Sequence, residues 1–155
     1  MSDANKPPLI FAKHMGALRP VNRAAIDMLN TLEPGKHVKA KITSMTRNQR
    51  RRGFYWVMLT VAAEVLSDRT NDPWDAELLH LELKKVLKLG VTFTTPSGRE
   101  VFKPASTADG NMGEAERAHW TNRCANVLSH WVGVPIHDLM DEVRSRAASE
   151  GVSDA

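Results

Sequence analysis

From Arg47 to Trp56 the chain reads Arg-Asn-Gln-Arg-Arg-Arg-Gly-Phe-Tyr-Trp, and its most apolar stretch, Val57 to Leu66, follows directly. Taken as a helix from about Asn48 to Leu66, this segment turns about 100° per residue. Phe54, Met58, Val61, Ala62, Val65 and Leu66 then share one broad face that has to be buried. Arg47, Arg50 and Arg51 point the same way but lie earlier, so they project past the end of that core. There the free N–H groups of the helix start already favour an anion. Arg52 and Trp56 fall on the other side, four residues apart, where a guanidinium can lie on an indole. Cations that hold phosphates beside a flat ring suit single-stranded nucleic acid. A solvated charge run, with Trp56 packed on a neighbouring helix, fits the same pattern. Gly53 costs about 1 kcal/mol relative to Ala inside a helix, and a break there would place the arginines on a loop.

The charge is unevenly spread. Residues 1–53 carry 11 Lys/Arg against 3 Asp/Glu, net +8, whereas residues 54–155 carry 10 against 15, net −5. A basic front and an acidic back suit a protein that meets an anionic partner on one face. The length fits one domain with its own core. Cys124 stands alone, so no intramolecular disulfide forms and a reducing cytoplasm is the expected location. No apolar run is long enough to span a membrane, and Met1 to Pro8 has no signal-peptide core.

Local signals predict an α+β domain over residues 9–146, with a small antiparallel sheet and three to five helices. It is flanked by a loose arm at 1–8 and a disordered tail at 147–155. Leu9 to Ala12 reads as a strand that turns at Met15-Gly16 and returns to Pro20. A helix over Val21 to Leu32, capped by Asn22, ends at Pro34-Gly35. Val38, Ala40 and Ile42 alternate with Lys39, Lys41 and Thr43, which predicts a half-buried strand with a cationic outer face over Lys36 to Met45. Lysines of that kind also serve simply to discourage edge pairing. Asp72-Pro73 predicts a helix start, with Trp74, Leu78, Leu81, Leu83 and Leu87 buried up to Gly90. A hairpin is expected around Pro96-Ser97-Gly98-Arg99, then a flexible loop from Pro104 to Asn111. A long helix over Gly113 to Val132 stops at Gly133. A last helix opens at Pro135 and frays after Arg146.

Neither metal nor nucleophile chemistry has a convincing pattern. His119, Cys124 and His130 are spaced five and six residues apart on one helix, which does not bring three ligands to one face. Asp72, Asp75 and Glu77, like Glu114 and Glu116, sit at helix starts, where acids are expected from the dipole alone. No phosphate-loop, Gly-x-Gly-x-x-Gly or Gly-x-Ser-x-Gly motif occurs. Cys124 falls in an apolar helical pattern, as a core thiol does. The residues predict no catalytic group, no metal and no cofactor.

The order of features resembles a family. Met15-Gly16-Ala17-Leu18-Arg19-Pro20, then Leu32-Glu33-Pro34-Gly35, then Arg47-Asn48 leading into Phe54-Tyr55-Trp56, resembles an uncharacterised family of small bacteriophage proteins. Its pattern is a Met-Gly-x-Leu-x-Pro start and an Arg-Asn basic helix. More distantly the chain is similar to the NinB (Orf) recombination mediators of phages. Arg52 and Tyr55 match their Arg and aromatic, and Ser106-Thr107 with Met112-Gly113-Glu114 matches their loop and helix start. Arg50 and Arg51 stand where those proteins have Gln-Asn. The resemblance implies a non-catalytic homodimer that binds single-stranded DNA beside a host single-strand-binding protein, and the leading reading is a phage-encoded protein that binds single-stranded or branched DNA and assists recombination. On this reading Arg47, Arg50, Arg51 and Arg52 hold phosphates, Lys39 and Lys41 support them, and Tyr55 or Trp56 stacks. A protein–protein adaptor acting on a host replication, recombination or defence factor is the second reading, and a metal-dependent nuclease the third.

Overall fold

Met15 and Gly16, both at positive φ (50° and 81°), reverse the chain between two strands, Phe11–His14 (β1) and Ala17–Pro20 (β2). A two-residue turn of this hand matches the right-handed twist of a hairpin, and it pairs His14 with Ala17 and Phe11 with Pro20. Asn22 then caps a short helix, Arg23–Asn30 (α1). Its Oδ1 accepts from Ala25 N and from Ile10 N (3.0 Å), while its Nδ2 donates to the Pro8 carbonyl at 2.8 Å. One buried side chain therefore ties strand entry to helix start. The computed structural model describes residues 8–152; the expected arm lies outside these residues except for Pro8, and 153–155 of the expected tail likewise.

The arginine segment and the apolar run form one continuous helix, Arg47–Thr70 (α2). Thr46 and Gln49 exchange hydrogen bonds in a capping box, each satisfying a backbone N–H at the helix start. Gly53 does not break it. A Cβ at this position would lie 2.5 Å from Val152 Cγ1, so glycine lets the far end of the chain lie against α2. Phe54, Tyr55, Met58, Leu59, Val61, Ala62, Ala63 and Leu66 are all buried. The helix is therefore covered on more sides than a single apolar stripe requires.

The remaining elements surround it: Ala76–Val86 (α3), a hairpin of Gly90–Thr94 (β3) and Glu100–Pro104 (β4), Glu114–Val132 (α4) and Ile136–Glu150 (α5). Helices α3, α4 and α5 all pack on α2. Leu79 and Leu83 enter the core from α3, Trp120, Cys124, Leu128 and Val132 from α4, and Leu139, Val143 and Ala147 from α5. The result is the α+β domain that the sequence predicts, with its strands in two separate antiparallel pairs. No helix among the described residues is long and apolar enough to cross a membrane.

Four local expectations differ. No strand pairing among the described residues includes 36–45, and Val38 and Ile42 are 59% and 69% exposed. Alternation gives a segment the potential to pair, and here nothing lies beside it to supply the ladder. Helix α3 begins three residues after Pro73, because Asp75 rather than Asp72 caps it, accepting from Leu78 N at 2.8 Å. That shift leaves Leu78 and Leu81 outside and brings Leu79 and His80 inside. Helix α5 continues past Arg146 to Glu150, held by Ala147 in the core and by Ile10 and Val21 packed around Gly151. The loop after Pro104, expected to be flexible, is hydrogen-bonded throughout its second half, where Ser106 Oγ accepts from Ala108 N and Asn111 Nδ2.

Candidate nucleic-acid interface

The first turns of α2 and α4 lie side by side, since Asn48 Nδ2 donates to the Met112 carbonyl just before α4 begins. The first turn of α2 contains no acidic residue, so its dipole and its arginines have the same sign. Part of that charge is answered from α4. Glu114 Oε1 lies 3.2 Å from Arg47 Nε and 3.7 Å from Arg51 Nη1, and the Glu114 carbonyl accepts from Arg51 at 3.3 Å. Asp109 lies 3.7 Å from Arg52. Arg50 is exposed and makes no ion pair among the described residues.

The four arginines are thus not equivalent. Arg47, Arg50 and Arg52 present charge to solvent. Arg51 is mostly buried and forms part of the wall of a cavity of about 190 Å³ with Phe54, Thr121 and Met140. Lys39 and Lys41 lie in the exposed segment that leads into the Thr46 cap, and neither makes a side-chain hydrogen bond or ion pair among the described residues.

Beneath the arginines lies a buried polar network that sequence patterns did not reveal. Arg117, from the second turn of α4, is 1% exposed. Its Nε donates to Asn48 Oδ1 at 2.7 Å, and its Nη2 donates to the Thr107 carbonyl at 2.8 Å and to Asp109 Oδ1 at 3.0 Å. Burial works against its charge and Asp109 supports it. Arg117 fixes the Thr107–Asp109 loop, and Asp109 in turn reaches Arg52. The signal was present in the spacing: Arg117, Trp120, Thr121, Cys124 and Leu128 fall on one helical face.

The second part of the network is on α3. His80 Nδ1 lies 2.7 Å from the Tyr55 hydroxyl, and His80 Nε2 lies 3.4 Å from Thr107 Oγ1. Burial, then Lys84 and Arg52, push the imidazole down to about 4, so it is neutral at physiological pH. Burial also holds the Tyr55 phenol above its ordinary value. The protonated phenol then donates to Nδ1, which leaves Nε2 to carry the hydrogen that faces Thr107.

The aromatic side chains divide accordingly. Tyr55 is 1% exposed, so it has no free ring face for a base, and the expectation that it could stack does not fit its position. Trp56 is half-buried, with its ring 4.9 Å from His80 and 5.7 Å from Tyr55. The indole that lies outside the main apolar stripe therefore has a partner within its own chain, and its position is not in itself an argument for a dimer.

Among the described residues no group of three or more His, Cys, Asp or Glu is placed to hold a metal ion. Cys124 is buried, which pushes its thiol up to about 12, as for a core residue. Compared with protein-family models, curated proteins and solved structures, the chain matches none.

Proposed function

We propose that the protein binds the phosphate backbone of single-stranded or branched DNA across the N-terminal end of α2, without catalysing a reaction on it. The observation that carries this reading is Arg50. It is an exposed guanidinium without a carboxylate partner among the described residues, on a capped helix start with no acid in its first turn. Five guanidinium groups (Arg47, Arg50, Arg51, Arg52 and Arg117) gather there with three carboxylates (Asp109, Glu114 and Glu116), so the cluster keeps a net positive charge. Trp56, half-buried one turn from Arg52, is the aromatic ring that would stack on a base in this reading.

Arg47, Arg50 and Arg52 are the phosphate ligands in this reading, and Lys39 and Lys41 approach from the preceding segment. Arg51 supports the interface from within, and Tyr55 belongs to the core beneath it. A role as a recombination mediator, homodimerisation and cooperation with a host single-strand-binding protein rest on the NinB resemblance.

The same cations suit an acidic segment of a protein, and the exposed alternation of Val38, Ala40 and Ile42 favours that second reading, because such a segment can accept a partner strand. Anisotropy of a labelled single strand, with unlabelled oligonucleotide and an acidic peptide as competitors, separates the two. Displacement by oligonucleotide and not by peptide is expected. Absence of oligonucleotide binding, with the peptide bound, would make the adaptor reading the better one.

A further inference from the structure

We infer that the β3–β4 hairpin is a second contact for the same nucleic acid, an inference that rests on the DNA-binding reading of α2. Residues 82–104 carry five Lys/Arg against two Glu, net +3, inside the half of the chain that is otherwise acidic. Lys88, Arg99 and Lys103 make no ion pair among the described residues. Of the two acids, Glu82 is held by Lys85 at 2.7 Å, and Glu100 lines a groove of about 540 Å³ opposite Lys85 and Lys88.

Strand register sorts the hairpin into two faces. Thr92 is opposite Phe102 on the side that forms the groove with the end of α3. Val91 is opposite Lys103 and Phe93 opposite Val101 on the other side. On that side Val91 is 63% and Phe93 48% exposed. In this register Arg99 and Lys103 are the diagonal neighbours of Phe93 on the same face. A ring beside Lys103 and Arg99 is the pairing that holds a stacked base and its phosphates.

The hairpin is also tethered to the α2 site. Ala105 N extends the ladder by donating to the Leu89 carbonyl at 3.0 Å, and Arg123 Nη2 reaches the Leu87 carbonyl at 3.5 Å. Three residues on from Pro104, a span of at most about 11 Å, the Thr107 carbonyl accepts from Arg117, which holds Asn48 in the first turn of α2. The base of the hairpin is therefore joined to the α2 site through one short loop and one buried side chain.

The test is the salt dependence of binding to a labelled single strand of roughly 30 nucleotides, longer than one stacking groove covers. Wild type, Arg99→Ala/Lys103→Ala, Phe93→Ala and the hairpin-tip variant Arg99→Glu are compared, each with circular dichroism to verify folding. Loss of two phosphate contacts should flatten the slope of log affinity against log salt by about 1.4. Phe93→Ala should weaken binding roughly 5- to 150-fold with the slope unchanged. Arg99→Glu should weaken binding without altering the fold. Wild-type affinity and slope in all three folded variants would overturn the hairpin contact and leave the α2 site standing. No binding by the wild type would remove both.

Discussion

Arg117 Nε donates to Asn48 Oδ1 at 2.7 Å across 69 residues of sequence, and this bond joins the first turn of α2 to the second turn of α4. The same guanidinium holds the Thr107 carbonyl and Asp109, so the loop that borders the arginine cluster takes its shape from a buried side chain. Replacing Arg117 by Leu removes all three bonds at once and leaves the half-buried Asn48 Oδ1 without this donor. Loss of about 3 kcal/mol is expected, read as the shift in the urea midpoint. Faster amide exchange in residues 107–112 should accompany it. A shift below about 1 kcal/mol would show that water replaces the guanidinium cheaply.

The Tyr55–His80 contact predicts how stability responds to acid. With the folded imidazole held near 4 and the unfolded one at 6.5, the unfolded chain takes up a proton in that interval that the folded chain does not. Stability from this group is therefore complete above pH 6.5 and falls as pH drops toward 4. His80→Gln should flatten that part of the urea-midpoint profile relative to wild type. Tyr55→Phe should cost about 1–2 kcal/mol through the orphaned Nδ1, and should leave DNA affinity unchanged because the phenol is buried. A profile identical in wild type and His80→Gln would contradict the neutral, buried imidazole.

Much of this architecture was legible locally. Asn22, the Met15-Gly16 turn, Gly133 and Pro135 mark their boundaries through conformations that only a few residues adopt easily, so sequence locates them well. The segment from Lys36 to Met45 was not legible, because alternation shows that a strand can form but not that a neighbour exists. Arg117 and His80 were missed for a related reason. A charged or polar residue on a helix is read as solvent-facing by default, and only its apolar companions at helical spacing (Leu79 and Leu83 for His80) show that it is carried inward. The arginine segment itself was recognised, but its division into exposed Arg47, Arg50 and Arg52 and inward Arg51 depends on Glu114, which lies 63 residues further along.

Gly53 and Val152 predict a coupled pair. Ala is better than Gly inside a helix by about 1 kcal/mol, yet in the wild-type chain its Cβ would meet Val152 Cγ1 at 2.5 Å. Gly53→Ala alone should be neutral or destabilising. In a Val152→Ala background, where the nearest remaining atom is Val152 Cβ at 3.2 Å, it should be stabilising. The double-mutant cycle should report a coupling of about 1 kcal/mol or more. Additive effects would show that the last turn of the chain does not rest on α2 in solution.

The most direct test of the α2 interface is the salt dependence of single-strand binding in Arg47→Ala/Arg50→Ala/Arg52→Ala. Each phosphate contact contributes about 0.7 to the slope of log affinity against log salt, so losing three should flatten it by roughly 2, whatever the base composition. Trp56→Ala, measured in parallel, should cost about 1–3 kcal/mol and leave the slope nearly as it was. If the folded triple-arginine variant binds with wild-type affinity and slope, the arginines form a solvated face and the DNA-binding account of α2 is wrong.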